Sequence, residues 1–504
     1  MNDQTLYSIP VNWEWASLGE ICQVIRMQIE PKLQPSKRFN YLSIENVESN
    51  SGELVNFAPT PGDRIKSAKL VFKTSDILYN KLRPYLNKVH FPIFDGISAT
   101  DLIPLRPLGG IPREYVGYFL RSRVVVDYAN QKTRGIQLPR LPVDDLVKLP
   151  VPLAPLAEQR RIVARLESSI NSIRVAKKAL VKIPALVKRF RQSVFAKAFR
   201  GQLTERDPND EPAENLLKRI RQDWRRRWEE ELRAKGKDPR KCKYEEPESV
   251  EIQGLEELPN TWTWTTLGRV LDVVQYGTSV KADAPPNRGV PILRMGNIKE
   301  GKLGLAAMKY MDPRAEDIPK YELKHGDILI NRTNSPELVG KSALFDLEGK
   351  YVFASYLIRL RAIGLVSPSY LTFLINSPIG RRHIDRVRHQ VAGQSNINTH
   401  DIKSIPIPLA PSREQFQVAK KIQEMFSLAD QVEDSIRNGL TNATILEHSL
   451  LTKAFHGELV PQDPKDEPAS VFLERIRAKR PTLLNKKGRN QTRLELASPA
   501  KITA

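Results

Sequence analysis

Four short motifs occur twice in the same order, about 250 residues apart, and this doubling limits what the chain can fold into. Trp13-Glu14-Trp15-Ala16-Ser17-Leu18-Gly19 returns as Trp262-Thr263-Trp264-Thr265-Thr266-Leu267-Gly268. Leu149-Pro150-Val151-Pro152-Leu153-Ala154-Pro155, with Glu158-Gln159, returns as Ile405-Pro406-Ile407-Pro408-Leu409-Ala410-Pro411, with Glu414-Gln415. Ala198-Phe199-Arg200-Gly201-Gln202-Leu203 returns as Ala454-Phe455-His456-Gly457-Glu458-Leu459, and Asp210-Glu211-Pro212-Ala213 as Asp466-Glu467-Pro468-Ala469. Solenoid repeats run roughly 20 to 50 residues, so this period means duplication of whole domains. The frame is kept and the interior changes, which suits a protein that reads two different things held at a fixed distance.

With 504 residues the chain can bury several cores, and its net charge of +21 points to a polyanion, nucleic acid before membrane surface. A merely soluble basic protein is the competing reading. Cys22 and Cys242 have no metal spacing and form no disulfide framework, so a reducing cytoplasm is the expected location. The first residues carry Asp3 and reach Trp13 without an apolar run, and no stretch approaches the roughly 18 to 20 apolar residues of a membrane span.

The expected architecture is α+β: two mixed α/β domains, residues 1–155 and 250–410, separated by helical repeats 156–249 and 411–480, with a disordered basic tail at 481–504. Short β-like runs such as Phe39–Ile44 and Asp76–Tyr79 alternate with turns, and Tyr115–Leu120 and Tyr370–Ile375 predict short helices. In the repeats, apolar residues recur with a period near 3.5 through Ile162, Leu166, Ile170, Ile173, Leu180, Ile183, Val187, Phe190 and Val194. Ile422, Phe426, Ala429, Val432, Ile436, Leu440 and Ala443 continue the pattern in the second repeat. Two helices of about 40 residues would each reach about 60 Å at about 1.5 Å per residue. Their seam predicts a long antiparallel two-helix coiled coil, related by an internal pseudo-two-fold repeat; separate packing of each helix on its own domain is the alternative. Residues 213–234 form another amphipathic helix, with Leu217, Ile220, Trp224 and Trp228 beside Arg225-Arg226-Arg227.

Catalytic signatures are sparse. No Pro-Asp dipeptide anchors a metal nuclease, no Gly-x-Gly-x-x-Gly follows a strand, and Asp283-Ala284-Pro285-Pro286-Asn287 lacks the aromatic of an amino-methyltransferase motif. Ser335–Ser342 resembles a phosphate-binding loop but lacks its opening glycine, and Tyr85–Lys88 stands in the corresponding place of the first repeat. The changing positions instead offer donors suited to DNA. In the first domain these are Lys32, Lys37, Arg38, Asn80, Lys81, Arg83, Lys132, Arg134 and Gln137, the last three in an expected loop. In the second they are Lys281, Arg288, Asn331, Arg332, Asn334, Arg386, Arg388, Gln394 and Asn396. Arginine reaches guanine bidentately and Asn or Gln reaches adenine, whereas scattered Lys and Arg grip phosphates. For any one residue a solvated surface role competes.

The Trp-x-Trp-x-x-Leu-Gly openings, the Pro-rich lead-ins with Glu-Gln and the Ala-Phe-x-Gly-x-Leu helix exits together resemble the specificity subunit of Type I restriction–modification enzymes. The resemblance runs over residues 5–478 and leaves stretch 218–243 and the tail outside its motifs. It implies two target recognition domains, each reading half of a split, asymmetric site in double-stranded DNA, about 34–36 Å apart. It also implies two modification (methyltransferase) subunits and restriction/motor subunits as partners. The chain itself would bind no cofactor; S-adenosylmethionine, ATP and Mg would belong to those partners. A self-sufficient methyltransferase or nuclease and a coiled-coil protein binding nucleic acid without sequence preference are the competing functions.

Overall fold

The computed structural model describes residues 7–244, 246, 254–299, 301–391 and 394–488. The chain divides into two units, Met1–Val181 with Arg437–Ala504, and Lys182–Ile436. This division cuts through both helical repeats, so each unit owns one recognition domain and part of each repeat. The sequence segments placed whole repeats between domains instead. The difference arises because each helix exit motif packs on the domain of the other repeat. Phe455 lies edge-on to Tyr115 at 5.4 Å in the first unit, and Phe199 to Tyr370 at 5.4 Å in the second.

In the first unit, strand Glu14–Ser17 pairs antiparallel with Pro150–Leu153, bringing the two ends of the domain together. Pro155 then admits the helix Leu156–Leu180, since proline at a helix start forfeits no intrahelical bond. Trp13 Nε1 donates to Glu158 Oε2 at 3.0 Å, Gln462 Nε2 donates to the other carboxylate oxygen at 2.6 Å, and Gln159 Nε2 donates to Ala154 O at 2.8 Å. Tyr115, fully buried, donates its hydroxyl to Pro152 O at 2.7 Å. One four-stranded antiparallel sheet orders Cys22–Val24, Leu102–Pro107, Ile77–Asn80 and Val89–His90. A second orders Gln28–Ile29, Lys69–Phe72, Gly96–Ser98 and Tyr41–Leu42, the last pair parallel. Buried Asp76 takes Arg106 bidentately at 2.6 and 2.9 Å and also accepts the Lys73 N–H, closing the turn before strand Ile77–Asn80.

The second unit repeats these devices with its own residues. Thr263–Thr266 pairs with Pro406–Leu409, Trp262 Nε1 donates to Glu414 at 2.8 Å, and Gln415 Nε2 donates to Ala410 O at 2.8 Å. Asp327 takes Arg361 at 2.7 and 2.8 Å. Its main sheet orders Leu271–Tyr276, Leu357–Ala362, Ile328–Asn331 and Ser342–Leu344. Each domain holds the expected helix, Arg113–Leu120 or Pro368–Asn376, and a second that the sequence pattern did not suggest, Arg123–Lys132 or Pro378–Val387. The second pair buries few residues, Val125 and Ala129 in one and Gly380, His383 and Ile384 in the other, too thin a stripe to show as periodicity.

The first long helix is interrupted at Val181 and Lys182, where Ile183–Ala198 begins with proline at its start. The second, Ser412–Phe455, continues through Gly439 for 44 residues. Proline removes a backbone donor, whereas glycine costs only about 1 kcal/mol in a helix interior, so the two weakeners differ in effect. Within the first unit, a Cβ on Gly439 would lie 3.4 Å from Leu180, while Lys177 pairs with Glu447 at 3.0 Å and Leu166 clusters with Leu451 and Phe455. The helices there run antiparallel. In the second unit Arg191 pairs with Asp430 and Glu433 at 2.7 and 2.9 Å, and Phe195 meets Phe426 at 5.0 Å, again antiparallel.

Both exits turn on a glycine in left-handed backbone, Gly201 at φ +67° and Gly457 at φ +77°. The Gln202 and Glu458 N–H groups reach back to the Lys197 and Lys453 carbonyls at 2.8 Å, a Schellman closure. A Cβ on Gly457 would stand 2.2 Å from Pro10 Cγ, and on Gly201 2.6 Å from Pro259 Cγ, so no side chain fits either place. Helix Ala213–Ala234 forms as expected. The tail differs from expectation: helix Ala469–Gly488 carries the chain into the stretch read as disordered, because Ala469, Phe472, Leu473 and Ile476 anchor it to the first unit's core. Residues 489–504 lie outside the described residues.

Burial raises the Glu158 carboxyl above its ordinary 4.5, against the opposing hydrogen bonds from Trp13 and Gln462. A folded-state pKa above the unfolded one means that the folded chain holds this proton more tightly. Its contribution to stability is therefore fully present below about 4.5 and is lost as pH rises through the folded value. Glu158→Gln is expected to gain stability relative to wild type as pH is raised from 4.5 to neutrality. Thermal melts across that range check it; a constant difference would refute the assignment.

Candidate nucleic-acid interface

Strand Ile77–Asn80 in the first unit and strand Ile328–Asn331 in the second each deliver the chain into a loop carrying candidate DNA-contacting residues. In the first, Leu141 N–H donates to Lys81 O at 2.9 Å and Arg83 N–H donates to Pro139 O at 2.7 Å. Arg134 and Arg140 exchange backbone hydrogen bonds at 2.9 Å, making a small hairpin of the 134–140 loop. The structure thus joins two stretches that the sequence presents separately, placing Lys81, Arg83, Arg134 and Gln137 on adjoining loops. Lys132 ends the helix Arg123–Lys132 rather than lying in a loop, because Val125 and Ala129 hold that helix on the core. Arg83, Lys132, Arg134 and Gln137 are exposed. Arg83 and Asn87 both take left-handed backbone, φ +51° and +48°, bracketing the turn Pro84–Leu86. For residues other than glycine this conformation is costly and is held here by the surrounding bonds.

The second unit builds the same joint. Ile397 N–H donates to Arg332 O at 2.9 Å, and Thr333–Asn334, Gln394–Asn396 and His389–Val391 form a three-stranded sheet. Arg332 stacks 4.7 Å from the Tyr276 ring centroid, Asn396 Oδ1 accepts from Thr333 Oγ1 at 2.6 Å, and Arg388 donates to Ser395 Oγ at 2.8 Å. Arg386 is exposed and donates to His383 Nδ1 at 3.1 Å. Gln394 is exposed on the same sheet.

Other candidates lie elsewhere. Lys32, Lys37 and Arg38 are exposed around a short helical turn, Pro31–Leu33, with Lys37 over the Phe39 ring and Arg38 bonded to Pro59 O at 2.9 Å. Lys281 and Arg288 are exposed on the loop that Ala284 N–H ties to Tyr310 O at 3.1 Å, and Lys281 pairs with Asp283 at 2.8 Å. Lys81 and Arg140 share Asp101 at 3.5 and 3.2 Å, and Arg134 reaches Asp145 at 3.6 Å. These contacts among half-exposed groups are weak enough to exchange for phosphate.

Two candidates are corrected. Asn80 and Asn331 are each 1% exposed. Asn80 Nδ2 donates to Leu82 O at 2.6 Å, and Asn331 Nδ2 donates to Leu338 O at 3.3 Å. Asn80 Oδ1 also accepts the Leu82 N–H at 3.3 Å, and in both units the amide nitrogen is engaged by the loop after its own strand. Their occurrence at the same register of both repeats is the signal that marks them as frame. The Ser335–Ser342 turn is likewise no phosphate cradle. Its Leu338 and Val339 N–H groups donate to Ser335 O, Gly340 to Asn331 O, Lys341 to Leu338 O and Ser342 to Asn376 Oδ1, leaving few amides for an anion. The structure places four further cations beside the candidates, Arg140 in the first unit and Arg294, Lys299 and Lys341 in the second, whose neighbours are set only by the fold.

A family model for the Type I restriction modification DNA specificity domain matches residues 10–185 and again residues 259–442. The chain belongs to that family. It is similar to the Type I restriction enzyme EcoKI specificity subunit of Escherichia coli strain K12, with 28% identity over 94% of this chain and 96% of that protein. It is also similar to the StySPI specificity subunit of Salmonella potsdam, with 27% identity over 94% and 96%. Among solved structures, a chain described under complex assembly and conformational transition of the type I R-M system aligns at TM-score 0.65 and 20% identity, covering 90% of this chain and 100% of its own. The HsdS subunit from Thermoanaerobacter tengcongensis aligns at TM-score 0.56 and 20% identity, with the same coverage. The two structures share the fold. The family match makes this chain a specificity subunit with two repeated recognition domains, a role distinct from catalysis. Among the described residues, no cluster of His, Cys, Asp or Glu is arranged to hold a metal, and no helix is long and apolar enough to cross a membrane.

Replacing Asn80 by alanine is expected to cost about 1–3 kcal/mol of stability, as for any buried hydrogen-bonding group removed, without changing the DNA sequence read. Arg83→Ala should leave the melting temperature nearly unchanged and weaken DNA binding. Melting curves beside binding isotherms separate the two; the reverse pattern would return Asn80 to the interface.

Proposed function

We propose that this chain reads a bipartite, asymmetric sequence in double-stranded DNA, one half-site per unit, and leaves methylation and cleavage to proteins that bind it. The observation that carries this is the joint built twice. In both units the loop after the same strand is bonded to the loop beyond the second helix, through Lys81 O in one and Arg332 O in the other. The frame that holds it is equivalent and the side chains displayed on it are not. A repeated support with unlike donors is what two different words on one duplex require, because sequence is read by side-chain pairing to base edges.

The helices serve this reading as a spacer, an antiparallel pair in which the two repeats bond to each other and keep the half-sites at one gap. The helices of each unit also leave apolar side chains outward. In the first unit Val175, Val181 and Ile445 are 61%, 64% and 60% exposed, and in the second Leu186 and Leu428 are 57% and 59% exposed. Large apolar side chains left outward on a chain this charged fit a helical partner that covers them. Two modification subunits, holding S-adenosylmethionine themselves, are the partners proposed for these helices, with restriction/motor subunits supplying ATP, Mg and cleavage. The whole complex would act on chromosomal DNA in the cytoplasm.

Co-expression with a modification subunit, followed by genome-wide mapping of methylated adenines, is expected to reveal a split site. Exchanging residues 18–149 for those of another such subunit should alter one half only; altered halves on both sides would refute separate reading. Insertion of four residues after Ala176, about one helical turn, should lengthen the gap between half-sites, and an unchanged gap would refute the spacer.

A further inference from the structure

The two domains differ at one place where their frames are equivalent. Asn80 N–H donates to Lys88 O at 3.1 Å and Asn331 N–H donates to Lys341 O at 2.9 Å, so Lys88 and Lys341 hold the same station. Ser43 and Arg294 also correspond, since their N–H groups donate to the capping amides of Asn46 and Asn297 at 3.0 and 2.9 Å. In the first unit Lys88 Nζ donates to Ile44 O at 2.9 Å and closes the space between these segments. In the second unit the space is open, a groove of about 820 Å³.

Its lining combines two chemistries. Arg294, Lys299 and Lys341 supply positive charge, and among the described residues none of them makes an ion pair. Arg294 is steadied by donating Nη2 to Ala307 O at 2.8 Å. Between the cations lie Met295, Leu338 and Tyr356, all substantially exposed although large and apolar. Asn334, on the edge strand of the three-stranded sheet, forms part of the same wall; its Oδ1 accepts the Ser335 N–H at 2.9 Å, which turns the amide's donor side toward other partners. Glu337 offsets part of the charge: its carboxyl is held below the usual range by its own backbone N–H and by Ser335, with Arg388 and Lys341 adding to the effect.

A free anion would need the cations but not an apolar floor, and an apolar peptide would need the floor but not three cations. A nucleic-acid strand uses both, phosphates against Lys and Arg and sugar or base surface against aromatic and aliphatic side chains. We propose that this groove seats one strand of the DNA at the half-site read by the second unit, with Lys299, Lys341 and Arg294 on its phosphates and Asn334 at a base edge. In the first unit, where Lys88 bonds across the same place to Ile44, the half-site is read from the loops instead. The inference rests on the half-site reading above and adds to it a residue set and an asymmetry between the two readers.

The test uses the full chain assembled with its modification subunits and duplexes carrying the mapped site, the first half scrambled, or the second half scrambled. Lys299→Ala with Lys341→Ala is expected to make the dependence of log binding constant on log salt shallower by about 1.8, at about 0.9 for each phosphate no longer neutralised. Lys88→Ala should leave that slope unchanged. Asn334→Ala should relax preference at a base of the second half while the first half is read as before. If the wild-type complex discriminates both scrambled duplexes but the double variant keeps its slope, the groove is not a DNA channel and the half-site reading stands. An equal flattening of the slope in Lys88→Ala overturns the asymmetry. If wild type fails to discriminate either scrambled duplex, the reading beneath falls and the groove assignment falls with it.

Discussion

The buried hydrogen bond from a tryptophan indole to a glutamate on the first turn of a long helix is the joint on which the rest depends. Trp13 to Glu158 and Trp262 to Glu414 tie the first strand of each domain to the helix that leaves its last strand. Burying a carboxylate costs free energy unless donors surround it, and here an indole, a glutamine or threonine and the helix start do so. With the two ends of a domain clamped at one point, the helix leaves at a set angle. Whatever the loops at the opposite end display is then carried in a fixed relation to the helix.

The same clamp accounts for the way the chain is shared between units. Gln462, which completes the shell of Glu158, comes from the far end of the sequence, as does Asp466, paired with Arg161 at 2.6 Å. In the second unit Thr204 and Asp207 meet Glu414 and Arg413 in the same manner. Each domain is therefore finished by the tail of the other repeat.

Loops can vary on this frame because the frame consumes its own polar groups. Asp76 with Arg106, Asp327 with Arg361, and the side-chain N–H groups of Asn80 and Asn331 hold the turns from within. Side chains beyond them are free to differ, and they do. Lys88 closes on Ile44 where Lys341 lines an open groove, a change in a single lysine's partner that gives the two domains unlike surfaces. Like supports thus carry unlike surfaces in the two domains.

The duplication, the helical periodicity, the helix stops at Gly201 and Gly457 and the family were legible in the amino-acid order, because they rest on local spacing and on motifs repeated in register. Helix Ala213–Ala234 was legible for the same reason. The partners of those elements were not. That Phe455 packs on Tyr115, that the loop at Lys81 joins the loop at Pro139, and that Asn80 faces inward all depend on groups far apart in sequence. Local pattern sets which backbone a segment prefers; only the folded chain decides which donors are already spent and which remain turned toward a ligand.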